Sequence, residues 1–135
     1  MRKAIENSKE IGALGEKVAV TYLLEHGYRI LATNYWRKWG ELDIVALFAD
    51  KVHFVEVKTI SFDSKKDLDY SLIHEGWRPE EQVHRFKMGQ IAKALHTWIS
   101  ENKYDGEWQI DVMGVRVVPH ETFATVNFIE NVMID

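Results

Sequence analysis

Cysteine is absent from this chain of 135 residues, and proline occurs only twice. Without cysteine the chain has neither disulfides nor thiolate metal ligands. No apolar run reaches the roughly 18 residues that a transmembrane helix needs. The first ten residues also lack the apolar stretch of a signal peptide, so a cytoplasmic location is expected. The length and these absences predict one domain, residues 1–135, with no membrane partner.

Positive charge is in deficit overall, because the formal net charge is −4. This value argues against a general nucleic-acid coat protein. Residues 1–60 nevertheless hold nine lysines and arginines against eight acids, a net charge of +1, whereas residues 61–135 hold eight against thirteen, a net charge of −5. The segment 28–40 carries three basic residues and no acid. Any contact with nucleic acid is therefore expected from the first half.

Hydrophobic periodicity predicts the order helix, three strands, helix, two strands. The first helix is expected to end at Gly27, and the second to begin near Pro79. The predicted strands are 29–33, 41–48, 51–59, 107–118 and 123–129. Residues 34–40 are expected to form a turn, and residues 61–78, which lack a clear period, a mobile loop. This order favours an α/β fold in which helices flank a central mixed sheet.

Charged side chains interrupt two strands that are otherwise made for burial. Side chains alternate across a strand, so Glu56 and Lys58 share one face. Glu41 and Asp43 share a face of the preceding strand in the same way. The short connection at 49–50 predicts a hairpin that can bring Asp43 close to Glu56. Repulsion between the two carboxylates must then be offset by Lys58, by a cation or by proton uptake.

Two interpretations of these charges are open. Hard divalent ions such as Mg²⁺ take oxygen ligands of this kind, and a lysine beside a metal can orient water or stabilise charge on a phosphate. A solvated strand end with a cross-strand ion pair between Lys58 and Asp43 would use the same residues. The apolar neighbours from Val52 to Val57 argue against the second interpretation, since burying an ion pair rarely stabilises a protein.

Three segments in order carry a resemblance to a known family: GEKVAVTYL at 15–23, GELDIV at 40–45 and FVEVKT at 54–59. Together they resemble the YraN-like family of the PD-(D/E)xK nuclease superfamily, which is related to archaeal-type Holliday junction resolvases. The resemblance covers most of the chain and implies a restriction-endonuclease-like fold. Two departures are Leu42, which stands where the superfamily's name has proline, and the longer, more acidic segment 61–82.

The resemblance also implies a role for each charged residue. The metal ligands would be Asp43, Glu56 and Glu16, the last reaching the site from a helix. Lys58 would be the catalytic lysine. The auxiliary residues would be Glu41, Lys87 and Gln90. The implied cofactor is Mg²⁺, with Mn²⁺ as the other candidate.

The implied activity is hydrolysis of DNA phosphodiester bonds, on branched or flapped DNA, by an enzyme that resolvase-like relatives suggest is a homodimer. The alternative is a nucleic-acid-binding or assembly module that keeps the metal site without hydrolysing anything. These two hypotheses make different predictions for metal-dependent cleavage.

Aromatic and basic residues interleave just before the predicted site. Trp36, Arg37, Lys38 and Trp39 would suit stacking on unpaired bases and contact with phosphates. The alternative is that one tryptophan caps the core and the other lies on the surface. The six histidines show no close metal-ligand spacing, so no zinc site is predicted. A structural role is expected for His53, and local hydrogen bonding for Asp111.

Overall fold

The structure, a computed structural model, describes residues 8–74, 76 and 85–132, without the side chains of residues 85–87. Its elements in chain order are α1 (Ser8–Glu25), β1 (Arg29–Arg37), β2 (Gly40–Phe48), β3 (Lys51–Ser61), α2 (Lys65–His74), α3 (Arg85–Glu101), β4 (Trp108–Val118) and β5 (Phe123–Ile129). The helix start expected near Pro79 lies outside the described residues. None of the described helices is both long and apolar enough to span a membrane.

One sheet contains all five strands of the described chain, in the order β1-β2-β3-β4-β5. Neighbours pair antiparallel except β3 and β4, which pair in parallel. A parallel pair needs a long crossover connection, and this one contains α2 and α3. The predicted α/β class and mixed sheet are confirmed, as is the element order apart from the additional helix α2.

Helices cover both faces of the sheet. On one face, α1 buries Ala19 and Leu23 in a cluster that includes Val55. On the other, α3 buries Ile91 in a cluster that includes Phe54. Burial of a leucine, valine, isoleucine or phenylalanine side chain of this kind stabilises the fold by roughly 1.5–3 kcal/mol. Because β3 alternates between the two clusters, it is fixed in the centre of the sheet.

Two turns hold the elements beside the predicted site. Gly27 has a φ of 87°, the left-handed value expected of a helix cap. The Tyr28 N–H donates to the Leu23 carbonyl across this cap, at 2.9 Å. Ala49 and Asp50 both have positive φ, 51° and 62°, which is typical of a two-residue type I′ hairpin. The predicted end of the first helix and the predicted β2–β3 hairpin are therefore confirmed.

The segment 61–78 was expected to be a mobile loop, and that expectation is wrong at Ser61, which ends β3, and over Lys65–His74, which form α2. Its periodicity is weak because the buried residues are only Leu68 and Ser71. The helix begins with a cap that the sequence does contain: the Asp67 N–H donates to Ser64 Oγ at 3.1 Å. Residues 75 and 77–78 lie outside the described part of the chain.

The turn expected at 34–40 is also wrong, because β1 continues to Arg37. Asn34 does adopt the left-handed conformation that makes asparagine common in turns, with a φ of 51°. The strand nevertheless keeps pairing on either side of it, at Thr33 with Ile44 and at Tyr35 with Leu42. Only residues 38 and 39 remain between β1 and β2.

Candidate active site

An open cleft of about 500 Å³ lies where the β2–β3 ladder ends, after the pair of Ile44 and Val55. The charged residues that line it are Glu16, Glu41, Asp43, Glu56 and Lys58. They come from α1, β2 and β3. The structure therefore brings together the acids and the lysine that sequence motifs singled out.

Asp43 is held in a defined position at the base of the cleft. Its side chain is 9% exposed, and Oδ2 accepts a hydrogen bond from the Val57 N–H at 2.8 Å. The Asp43 side chain thus accepts a hydrogen bond of the kind that a main-chain carbonyl of β2 would accept if the two strands continued to pair. Oδ1 accepts no hydrogen bond from the residues that the structure describes. As far as the described residues go, a cation or a water molecule could therefore bind this oxygen.

Glu56 and Lys58 follow one another along β3. Glu56 is only 3% exposed, whereas Lys58 is half-buried. Within the described chain, Lys58 forms no salt bridge. The ion pair between Lys58 and Asp43 that a solvated strand end would use is therefore not formed.

Close packing of α1 on β3 delivers Glu16 to the cleft. Gly15 is buried, and a methyl group in its place would overlap the Thr59 hydroxyl. No larger residue would allow the helix to approach this strand so closely. At Gly12, by contrast, a methyl group would meet nothing within 4 Å. Close packing against the sheet therefore explains the glycine at Gly15 but not the one at Gly12.

The electrostatic environment of Glu16 connects it to the other acids. Partial burial, followed by the negative charge of Asp43, raises the pKa of Glu16 above its ordinary value. A hydrogen bond with the Asn34 side chain acts in the opposite direction, and Glu41 contributes a smaller increase. Charging Glu16 therefore costs free energy in the metal-free protein, and a bound cation would relieve that cost.

The cleft offers oxygen donors that suit Mg²⁺, which typically takes one or two carboxylates and keeps several waters. Glu16, Asp43 and Glu56 do not form a set whose oxygen atoms all lie within 4.8 Å of one another. Among the described residues, the one such group of histidines and acids is His53, Asp111 and Glu130. Asp43 and Glu56 are the two nearly buried carboxylates that line the cleft, and they are the residues that could hold a cation there.

The auxiliary residues are less well gathered. Glu41 lines the cleft, but Gln90 is not among the lining residues. The backbone of Gln90 instead packs against the start of β2. Its carbonyl lies so close to Gly40 that a methyl group on Gly40 would overlap the carbonyl oxygen. The side chain of Lys87 lies outside the described part of the structure.

The aromatic and basic residues divide into exposed and engaged groups. Trp36 is 64% exposed and Trp39 is 47% exposed, so both rings could meet a ligand, and Trp39 Nε1 also donates to Thr97 Oγ1 at 2.8 Å. Lys38 is exposed between them. Arg37 is engaged: its Nη2 donates to Glu101 Oε1 at 2.6 Å, and its Nε donates to Oε2 at 3.1 Å.

The spacing of histidines in the sequence did not predict a buried polar group that lies near the beginning of β3 and β4, away from the cleft. His53 Nδ1 lies 2.7 Å from Asp111 Oδ2. The two residues are 58 positions apart in the chain, and the parallel pairing of Val55 with Asp111 brings them together. Burial, followed by the charges of Glu130 and Asp111, raises the pKa of the neighbouring Tyr28 to about 12. The polar character of Asp111 in an apolar strand was the available signal.

A mixed sheet flanked by helices, with acids and a lysine where two strands stop pairing, defines an α/β protein consistent with the restriction-endonuclease-like architecture. The model of one family, described as "Uncharacterised protein family UPF0102", matches residues 15–115. The chain belongs to this family. The resemblance to the YraN-like family is thereby confirmed.

Curated relatives cover almost the whole chain. A UPF0102 protein of Caldicellulosiruptor bescii is 34% identical over 125 residues, which is 93% of this chain and 98% of the relative. One from Caldanaerobacter subterraneus subsp. tengcongensis is 33% identical over 127 residues, or 93% and 95% of the two chains. One from Alkaliphilus oremlandii is 35% identical over 127 residues, or 92% and 97%.

Proposed function

We propose that this protein is a cytoplasmic, metal-dependent endonuclease that hydrolyses DNA phosphodiester bonds, with branched or flapped DNA as its substrate. The observation that carries the proposal is that Glu16, Asp43, Glu56 and Lys58 line a single open cleft. Asp43 and Glu56 are both nearly buried, and within the described chain Lys58 forms no salt bridge. Two nearly buried carboxylates in one cleft repel each other, which is costly for stability alone and favours a functional explanation.

The donor set fits Mg²⁺, with Mn²⁺ as an acceptable substitute. When bound, the ion supplies Lewis-acid polarisation of a phosphate and a more acidic water. Asp43 and Glu56 would hold the ion, and the Val57 N–H keeps the Asp43 carboxylate oriented for this task. Glu16 would complete the negative surface from the helix side.

Lys58 would contribute without being a metal ligand. Lys58 lines the same cleft, and the described residues form no salt bridge with it. It can therefore donate to a water or to a phosphate oxygen as negative charge develops there. An open cleft, rather than a closed pocket, suits a polymeric substrate that enters from the side.

Trp36, Trp39 and Lys38 would bind the nucleic acid outside the cleft. Exposed indole rings can stack on unpaired bases, and each such stack contributes roughly 1–3 kcal/mol. Arg37 would contribute less than its charge suggests, because Glu101 already binds its guanidinium group. A homodimer would match the two-fold symmetry of a DNA junction.

The test combines cleavage with metal binding. Tag-free protein would be incubated with four-way junction, flap and single-stranded DNA in Mg²⁺ or Mn²⁺, and metal binding would be measured by calorimetry. Asp43→Asn should reduce cleavage by about 10²-fold or more, as expected when one well-oriented electrostatic group is lost. Asp50→Asn is the matched control, since it removes an exposed acid at the opposite end of the same hairpin. Equal cleavage by Asp43→Asn and Asp50→Asn would refute the assigned site.

The second candidate function is a nucleic-acid-binding or assembly module without hydrolytic activity. The exposure of Trp36 and Trp39 is the observation that favours it. This candidate predicts that DNA binds, that Asp43→Asn leaves binding unchanged, and that no DNA form is cut in either metal. Metal-dependent cleavage that disappears with Asp43→Asn would exclude it.

A further inference from the structure

A second polar cluster lies well away from the cleft. His53 and Asp111 are almost fully buried, with 4% and 0% exposure, and Glu130 borders them at the surface. Each offers one ligand atom, and these three atoms all lie within 4.8 Å of one another. His53 is five residues from Lys58 along β3, or about 16 Å at the usual rise of a strand. Alternation also places the two side chains on opposite faces of the sheet.

Neutral donors hold the carboxylate of Asp111 in one orientation. The Gln109 side-chain amide donates to Oδ1 at 2.7 Å, and the Asn131 N–H donates to the same oxygen at 2.9 Å. Oδ2 is thereby turned towards His53 Nδ1. The same Gln109 amide lies 3.5 Å from Glu130 Oε1. Fixed outer partners of this kind are what orient the ligands in protein metal sites.

The charge of the cluster is not balanced within the described chain. Two carboxylates share a single imidazole. Within the described part of the chain, neither acid forms a salt bridge with a lysine or an arginine. Lys51 is nearby, but it donates to Gln109 Oε1 and forms a salt bridge with Glu107 rather than with a carboxylate of the cluster. Of the two acids, only Asp111 is buried, so a cation beside it would offset a charge that water does not reach.

We propose that His53, Asp111 and Glu130 bind a divalent transition-metal ion such as Zn²⁺, which fastens the segment after β5 to the centre of the sheet. One nitrogen and two oxygen ligands, with water at a fourth position on the exposed side, suit such an ion better than Mg²⁺. His53 Nδ1 and Asp111 Oδ2 are 2.7 Å apart and would separate only slightly, because two ligands of Zn²⁺ lie about 3 Å apart.

The location explains what the ion would do for the fold. Asn131 and Val132 already attach the chain to β4, through the Asn131 bond and a 2.7 Å bond from the Val132 N–H to the Ile110 carbonyl. A metal bridge from Glu130 to β3 and β4 would strengthen this attachment. The site is thus structural, and it is independent of the proposed nuclease cleft.

Tag-free protein provides the test, with Zn²⁺ binding measured by calorimetry and thermal unfolding, and Co²⁺ binding measured by visible absorption. Zn²⁺ should raise the Tm by about 5 °C or more when it is in excess. Glu130→Gln should weaken Zn²⁺ binding by about 10-fold or more, and His53→Gln should do the same. Glu107→Gln, which changes another exposed glutamate near that end of the sheet, is the matched control and should not alter binding.

The outcomes separate this site from the cleft. Asp43→Asn should leave Zn²⁺ binding and the Co²⁺ spectrum intact, so failure of the nuclease proposal would not affect this one. If His53→Gln does not fold, Glu130→Gln decides the question because its side chain is exposed. The proposal is overturned if Zn²⁺ and Co²⁺ do not bind in excess, if binding survives Glu130→Gln, or if it is lost in Asp43→Asn.

Discussion

Gly15 and Gly12 lie three residues apart on α1, yet alanine should affect them in opposite ways. At Gly15 an added methyl would overlap the Thr59 hydroxyl and lie 2.8 Å from the Thr59 Cβ. Rotation of the threonine side chain can move its hydroxyl but not its Cβ, so the helix itself must shift. At Gly12 the methyl would meet nothing within 4 Å.

Two contributions determine how much the free energy of unfolding should differ between Gly15→Ala and Gly12→Ala. Alanine in place of glycine favours a helix by about 1 kcal/mol, and this gain applies to both positions. Overpacking a close contact costs about 1–3 kcal/mol, and this cost applies only to Gly15→Ala. The common gain cancels in the comparison, so the free energy of unfolding should differ between the two variants by about 1–3 kcal/mol. For a chain of this size that is a difference in Tm of roughly 3–15 °C.

Thermal and urea unfolding, followed by circular dichroism, would measure this difference. Thr59→Gly removes the three atoms nearest to the added methyl, so the double variant should recover most of the overpacking cost in a double-mutant cycle. Metal affinity supplies a second readout, because a shifted helix moves Glu16 away from Asp43. The reasoning is refuted if Gly15→Ala is stabilised as much as Gly12→Ala, or if the cycle shows no coupling with Thr59.

The remaining predictions concern charge and stacking. Glu16→Gln should raise the Tm of metal-free protein at neutral pH, because the pKa of Glu16 is raised in the folded state. The gain should disappear below about pH 4, as the acid becomes protonated in the unfolded state as well as in the folded one. A pH series of unfolding curves checks this, and a gain that persists at acid pH would contradict it. Trp36→Ala should lower the affinity for single-stranded DNA by roughly 5-fold or more without changing the Tm, and unchanged affinity in fluorescence titrations would remove the stacking role. Glu101→Gln should release the Arg37 guanidinium group, so the affinity for DNA should rise. The slope of log K against log salt concentration should steepen by about 0.7–0.9, as expected for one additional phosphate contact. An unchanged slope would show that Arg37 contacts no phosphate.

Much of the cleft could be predicted from local sequence rules. Strand alternation and a two-residue hairpin are short-range properties, and they were enough to bring Asp43 towards Glu56. The approach of Glu16 depends on the packing of α1 against β3, which the resemblance implied and alternation alone could not. The contact of Gly15 with Thr59 is visible only once the helix is placed on the sheet.

The parts that could not be predicted depend on distant or compensating contacts. The parallel pairing of β3 with β4 joins residues 56 positions apart, and no local sequence pattern encodes the register of this pairing. The residues that contact His53 could therefore not be predicted. The helix α2 buries too few apolar residues to show a period. Asn34 adopts a left-handed conformation within a strand that continues to pair, which local propensity assigns to a turn.

The charge distribution also decides how the protein would meet a phosphate backbone. Residues 1–60 carry a net charge of +1, but without Glu16, Asp43 and Glu56 they hold nine basic residues against five acids, a net charge of +4. A cation bound in the cleft would neutralise these acids, so DNA affinity should increase with Mg²⁺ occupancy. Because coupling between two ligands is reciprocal, DNA should raise the affinity for Mg²⁺ by the same factor. A module that bound only through Trp36 and Trp39 would not show this coupling, so the effect of Mg²⁺ on DNA affinity separates a metal-assisted site from a simple stacking surface.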